Sequence, residues 1–283
     1  MNWFIYSLLA TLVYAIAEII VKYIADKKSE PIYLSIISAS FSALMGLIIT
    51  LTQRQIIFHF TPIIIAALIL SAVLAAIGII TFYAAMKYSD ISEFVLFTRT
   101  QVLFIFLGGI VFFQETFTFW QGIGIACIFL GAIVISLSKT KIRLHKGSIL
   151  ALITAVLFAA SMLVDRSIIS NFSASFYTSI IYFVIALVLI APVVVVWKKR
   201  RKLPPTKTWI AQFFSSSLYA ISTFFVYSSY NSGGYVSLTT LIAQLQIPII
   251  VLYGLFVFKE KDRLPQKIVA MILMIVGAYI LHT

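Results

Sequence analysis

Charge is scarce in this chain: only 11% of its 283 residues are Asp, Glu, Lys or Arg, while 62% are hydrophobic, and the mean hydropathy is +1.08. A soluble globule carries roughly 25% charged residues, so composition excludes an ordinary soluble domain and points to an integral membrane protein. Cysteine is nearly absent. The single Cys127 lies in an apolar run, which excludes an internal disulfide and any cysteine-built metal site. Histidine is limited to His59, His145 and His282, all near segment ends, where they read as interfacial groups rather than metal ligands. Reactive constellations are missing too: no HExxH, no paired carboxylates, no Ser/His arrangement and no Walker A motif. Neither enzymatic chemistry nor a cofactor or metal is expected. Acidic residues number 9 against 21 basic ones, a net charge of +12. That excess suits nucleic acid in a soluble protein. Here no basic–aromatic module interrupts the apolar runs, and basic residues of membrane proteins collect in cytoplasmic loops. The first residues, MNWFIYSLLATLVYAIAEII, lack a basic n-region and form a run long enough to span, so they read as a retained span rather than a signal peptide.

What is present is length in apolar stretches. A spanning helix needs about 20 mostly apolar residues. Ten such runs are expected, at 2–25, 31–51, 60–86, 90–112, 118–138, 147–169, 173–197, 207–230, 234–258 and 264–282. Pro31 and Pro62 stand at helix starts, Pro204-Pro205 breaks the chain before the eighth run, and Pro265 opens the tenth. Connections are short and leave no room for a soluble domain. The fold class is therefore all-α integral membrane, with ten transmembrane helices.

The stretch Phe82–Gln121 then recurs 145 positions later as Tyr227–Gln266. Without a gap, Ser92 falls on Ser237, Leu96 on Leu241, Gln101 on Gln246, Ile105 on Ile250, Gly109 on Gly254, Glu115 on Glu260 and Gln121 on Gln266. The first runs match at an offset of 144, pairing Tyr14 with Phe158, Ala15 with Ala159 and Lys22 with Arg166. A repeat this long marks duplicated halves rather than a solenoid. The expected organisation is a first five-helix repeat at 1–138, a connecting loop at 139–146 and a second repeat at 147–283.

Five spans per repeat force the second repeat to enter the membrane upside down. Of the 21 basic residues, all but Arg54, Arg99 and Arg166 fall in or beside the odd-numbered connections, eighteen against three. Those loops are expected to be cytoplasmic, with both termini outside a cell membrane. Equivalent loops also differ as inversion requires: the second connection carries only Arg54, whereas the seventh carries Lys198, Lys199, Arg200, Arg201, Lys202 and Lys207. Inverted repeats are an architecture of alternating-access carriers, with the site near the midplane between the repeats.

The pattern FYAAMKYSDIS…L…LF…G…E, its echo SYNSGGYVSLTTLIAQLQIPII…G…KE and the ten-run layout resemble the drug/metabolite transporter superfamily, EamA type, over essentially the whole chain. The resemblance implies a secondary transporter, often an exporter, of amino acids, other metabolites or drugs. The proline frequent in this part of the family's fourth and ninth helices is present as Pro248 but replaced by Leu103 in the first half. Family members are usually described with cytoplasmic termini, opposite to what the charges here indicate.

A charge near the bilayer centre costs about 2.5–3.5 kcal/mol on insertion scales, so each one needs a reason. Glu18 either pairs with Lys22 at i,i+4 or serves as a proton site or contact to a cationic solute. Arg99 either pairs internally, with Glu93, Glu18 or Asp165, or holds a carboxylate or phosphate on its guanidinium fork. Gln244 is its repeat partner. On a continuous helix Arg99 and Gln101 point to opposite sides. Gln101 and Gln246 serve scaffold hydrogen bonds or solute contact. Asp165 forms a local ion pair with Arg166 or couples protons, and Arg166, like Lys22, snorkels to the interface. Tyr14, Tyr83, Tyr88, Phe158, Tyr227, Tyr230 and Tyr235 are packing or an aromatic box. Ser215–Ser217, Ser222, Thr223, Ser228 and Ser229 form a polar stripe. Gly108, Gly109, Gly122, Gly124 and Gly131 allow close helix approach, and Glu115 and Glu260 read as surface or capping groups. The expected function is an alternating-access carrier, exporter or exchanger, of a small organic metabolite such as an amino acid. Coupling to protons through Glu18 or Asp165, exchange, and the oligomeric state stay open. The rivals are a flippase for a lipid or lipid-linked carrier on the same fold, and a non-transport membrane subunit.

Overall fold

The computed structural model describes residues 2–24, 29–88, 94, 97–137, 145–199, 203–257 and 264–282. Eleven α-helices are defined among them: α1 Trp3–Ile24, α2 Pro31–Gln53, α3 Pro62–Tyr88, α4 Gln101–Phe113, α5 Phe119–Leu137, α6 Lys146–Ile168, α7 Ala174–Lys199, α8 Thr206–Asn231, α9 Val236–Ala243, α10 Gln246–Val257 and α11 Leu264–His282. No strand occurs among the described residues, only an isolated antiparallel bridge between Phe58 and Phe172. Eight helical stretches are long and apolar enough to cross a membrane, α9 and α10 together making one of them, and two shorter apolar helices, Gln101–Phe113 and Phe119–Val134, complete a layout that fits ten passes. Ten passes place the connections 54–61, 114–118, 169–173 and 232–235 on the face of the chain ends, here the terminal face. The opposite, basic face carries the Lys- and Arg-rich connections.

The helix boundaries follow local chemistry. Pro31 opens α2, where a missing N–H is harmless. Arg54 and Gln114 end α2 and α4 in the left-handed region, both with φ of 52°, turning the chain after each helix. Gly233, with φ of 88°, supplies the tight connection between α8 and α9.

Two of the ten expected runs are not continuous helices. The fourth turns out of α-geometry at Arg99–Thr100, and the ninth does so at Gln244–Leu245. The backbone bonds match in register. Thr100 N–H donates to Phe97 O and Val102 N–H to Arg99 O, as Leu245 N–H does to Ile242 O and Ile247 N–H to Gln244 O. All four are tight bonds to the residue three positions back. In the ninth run Pro248 explains the break, because proline has no N–H and its ring clashes with the carbonyl four residues earlier, that of Gln244. Leu103 stands at that position in the fourth run. There the Thr98 and Thr100 hydroxyls donate to Phe94 O at 2.8 Å and Phe97 O at 2.6 Å, competing with the helical backbone bonds.

The most extensive helix pairs are α3 with α6, α1 with α8, α2 with α7 and α5 with α11. In lipid, packing and interhelical hydrogen bonds hold such pairs together. Ser42 Oγ donates to Ser216 O, Thr50 Oγ1 to Ser175 O and Ser222 Oγ to Ala10 O, each at 2.9 Å. In α5 and α11 the backbones themselves meet: a Cβ at Gly124 would lie 2.7 Å from Gly277 O, and one at Gly131 2.8 Å from Ala270 O. Gly122 has open space around it, so it takes no part in this approach. Tyr88 and Tyr235 are exposed at helix ends, Lys146 lying 4.4 Å over the Tyr88 ring, and are not part of an inner aromatic box.

Candidate functional site

Glu18 lies six residues before the end of α1, about 9 Å from its basic-face terminus at 1.5 Å per residue. Because the fourth span breaks at Arg99–Thr100, the Arg99 side chain leaves the helix line there and reaches α1. Its Nη2 donates to Glu18 Oε2 at 2.7 Å. The pair is largely withdrawn from solvent, with side-chain exposures of 15% for Arg99 and 22% for Glu18. Of the described partners open to Arg99 in the sequence, Glu18 is the one it takes. Glu93 and the Lys22 side chain lie outside the described residues. The pair leaves part of the fork unused, since Arg99 Nε is buried without a hydrogen-bond partner.

Tyrosines surround this pair. The Tyr14 ring, one turn before Glu18, packs on Tyr219 of α8 with centroids 5.1 Å apart. Tyr219 lies within electrostatic reach of Tyr14, Glu18, Tyr83 and Arg99, and its hydroxyl is buried and unpartnered. On the same side of α8, Gln212 Nε2 donates to the Tyr83 hydroxyl of α3, while Gln212 Oε1 is buried without a partner. Gln101 donates from Nε2 to Met162 Sδ of α6 at 3.2 Å. Arg99 and Gln101 thus reach the first helices of the two halves, α1 and α6. In the ninth-span break, Gln244 and Gln246 are both buried, and Gln246 Oε1 has no partner. The Phe158 ring fills the space beside Gly78. This centre offers unpartnered donors, Arg99 Nε and the Tyr219 hydroxyl, and an unpartnered acceptor on Gln212. Buried polar groups are normally satisfied, so these groups leave hydrogen-bonding capacity open to a polar solute.

A second charged centre lies at a different depth. Asp165, 3% exposed and three residues from the terminal-face end of α6, forms no ion pair with Arg166. Its Oδ1 accepts from Tyr177 at 2.7 Å and from Ser71, and its Oδ2 accepts from Tyr227 at 2.6 Å. Three hydroxyls from α7, α3 and α8 replace the cation that the sequence favoured. Arg166 does not follow a simple snorkelling path either. Its guanidinium carbon lies 5.6 Å from the Tyr230 ring centroid and 6.0 Å from that of Phe113, within cation–π range. Tyr227 therefore serves the Asp165 cage rather than the Glu18–Arg99 centre.

Glu115 is not a surface group. It is 6% exposed and caps a helix other than its own: Oε1 accepts Val236 N–H at 2.6 Å and Oε2 accepts Ser237 N–H at 3.2 Å, both at the start of α9. Glu260 and the connection 138–144 lie outside the described residues. Among those described, no three His, Cys, Asp or Glu residues gather as metal ligands.

Sequence reasoning missed Gln212, Tyr219, Tyr177 and Ser71. For the first two a signal existed. Gln212, Ser215, Ser216, Tyr219, Ser222, Thr223 and Tyr227 follow the i, i+3, i+4, i+7 spacing of one helix face. Tyr177 and Ser71 are single polar residues in apolar runs, and only the fold brings them to Asp165.

The description "EamA-like transporter family" attaches to a family model that matches residues 1–137 and 145–283 of the chain. A search of curated proteins gives no match. Among solved structures, one crystal structure of a protein superposes with a TM-score of 0.75 at 13% identity, covering 98% of this chain and 95% of its own. That identity speaks for the fold alone.

Proposed function

The chain belongs to the EamA-like transporter family, and from that premise we propose that it is a secondary carrier moving a small organic solute, such as an amino acid or related metabolite, by alternating access. Members of this family are membrane transporters, and the apolar helices make the chain a multi-pass membrane protein. The proposed moving parts are two inverted five-helix repeats, 1–138 and 147–283. The helix pairing supports this division. At the register of the sequence repeat α1 corresponds to α6 and α3 to α8, so the α3–α6 and α1–α8 pairs exchange, while α2–α7 and α5–α11 map onto themselves.

The observation that carries the reading is the Arg99–Glu18 pair at the fourth-span break, with Arg99 Nε, the Tyr219 hydroxyl and Gln212 Oε1 buried and unpartnered around it. A zwitterionic or anionic solute gains there a charge-assisted bond from the free edge of the guanidinium, with Glu18 free to accept from a cationic group. Tyr14, Tyr83 and Tyr219 provide flat walls, and Gln101, Gln244, Gln246 and Phe158 complete the centre as the solute passes. Glu18 is the proton-coupling candidate at this centre, with Asp165 the candidate nearer the terminal face. Coupling otherwise runs by exchange. Transport proceeds as export or exchange across a cell membrane, both termini outside, a reading supported by the loop charges.

The test is ligand-induced thermal stabilisation of the purified protein across amino acids, nucleobase derivatives, organic cations and phosphorylated metabolites, followed by flux of any hit in proteoliposomes. A hit lost in Arg99→Gln, with flux lost in parallel, supports the reading. Silence across the panel in folded protein overturns it in favour of a lipid-linked substrate.

A further inference from the structure

The contact between Glu115 and α9 joins the two halves at one point. Glu115 follows α4 of the first half, and α9 opens the ninth span of the second. Both carboxylate oxygens are used, on the N–H groups of Val236 and Ser237. These are two of the donors that a helix start leaves without intrahelical partners, and the N-cap residue Tyr235 makes no side-chain cap of its own. A carboxylate there also meets the positive end of the helix dipole.

The chain is built around this contact. Gln114 adopts its left-handed conformation, φ 52°, and Glu115 N–H folds back onto Gly109 O at 3.2 Å, which sends the carboxylate under α9 rather than into solvent. Gly109 leaves the space for it: a Cβ there would meet Glu115 Oε2 and Ser237 Oγ. Ser237 Oγ in turn donates to Phe106 O of α4 at 3.4 Å. The helix so held is eight residues long and ends at the Gln244–Leu245 break, so a grip at its start sets where Gln244 and Gln246 lie.

We propose that Glu115 is a positioning residue for transport: a clasp that fixes α9 against α4 while the terminal face is closed, and that must release α9 for that face to open. This inference rests on the alternating-access reading and makes it specific. The pathway opens on the terminal side by parting Glu115 from the start of α9, and closes by recapturing it. The sequence repeats the same residue types at the same register, Ser92, Gly254 and Glu260 answering Ser237, Gly109 and Glu115.

The test requires no substrate, so it fails independently of the flux assay. Cys127→Ser provides a cysteine-free protein, into which Ser237→Cys is placed as the reporter beneath the clasp. Ser42→Cys, buried between α2 and α8, serves as the control. Maleimide labelling rates are measured on purified, monodisperse protein with and without Glu115→Gln. That substitution keeps the shape and removes the charge, and Glu115→Asp is carried as a second variant that retains charge and shortens reach. The expected result is a roughly tenfold faster labelling of the reporter in Glu115→Gln, the factor for loss of about 1.4 kcal/mol of charge-assisted bonding. The control stays protected, and Glu115→Asp falls between. An unchanged reporter rate overturns the proposal. So does an equal rise at the reporter and the control, which would make Glu115 a fold-wide support rather than a clasp.

Discussion

The fourth and ninth spans break at the same register, with the same tight bonds, for different reasons. In the ninth, Pro248 removes a donor and displaces the carbonyl of Gln244. In the fourth there is no proline, and the hydroxyls of Thr98 and Thr100 take the backbone carbonyls instead. The groups presented also differ: a charged Arg99 held by Glu18 in one half, neutral Gln244 and Gln246 in the other. The two breaks share a backbone shape and differ in its cause and its chemistry. At the repeat position of Glu18 stands Met162, so the second half lacks the partner that an arginine at 244 would need.

The largest effect comes from breaking the charged half of this comparison. Arg99→Gln leaves Glu18 without its cation, with an expected loss of about 3 kcal/mol, read as a drop in thermal midpoint. Adding Glu18→Gln is expected to recover most of that stability without restoring ligand binding. Stability that does not return would mean Arg99 is held by something other than Glu18. Next comes the reverse experiment. Gln244→Arg introduces an unpaired charge, at about 2.5–3.5 kcal/mol on insertion scales, and Met162→Glu in the same protein is expected to restore at least half by rebuilding the pair in the second half. No recovery would show that the two breaks share a register but not a geometry. A smaller effect separates the ion pair from the hydroxyl cage. Tyr227→Phe removes one donor from Asp165 and is expected to lower stability by about 1.5–3 kcal/mol, leaving any ligand-induced thermal shift unchanged. The smallest effect belongs to the neutral break. Gln246→Met removes an unpartnered buried oxygen and is expected to change stability by under about 1 kcal/mol, while weakening ligand stabilisation.

The apolar runs made ten passes legible from the sequence, because a membrane span must be long and continuous in hydropathy, and the observed helix ends fall close to those runs. The breaks were not legible. Hydropathy does not register a two-residue departure from helical bonding, and the one proline signal occurs in only one half. Arg99 and Gln101 point to strictly opposite sides only on an unbroken helix. They do reach different helices, but from a turn. Arg99 with Glu18 was among the pairings open in the sequence, since two opposite charges in apolar surroundings have few other partners. The Asp165 cage was hidden because hydroxyl donors carry no charge to attract notice, and Ser71 and Tyr177 meet Asp165 only when α3 and α7 pack on α6. Of the surface and capping roles open to Glu115 in the sequence, capping is the one it takes, but on a distant helix rather than its own. Its burial depends on the start of α9, 121 residues away.

The backbone contact between α5 and α11 has a mechanical consequence. Two helices that touch through Gly124 and Gly277, with no side chain between them, have little room to slide or separate. They are the last helices of their respective halves. On the proposed alternating-access reading, this seam serves as the fulcrum, and the broken fourth and ninth spans as the levers that swing about it. On the same reading, a bulky residue at Gly124, where a Cβ would already meet Gly277 O, stalls the cycle without touching the proposed solute centre, a lock placed at the axle rather than at the door.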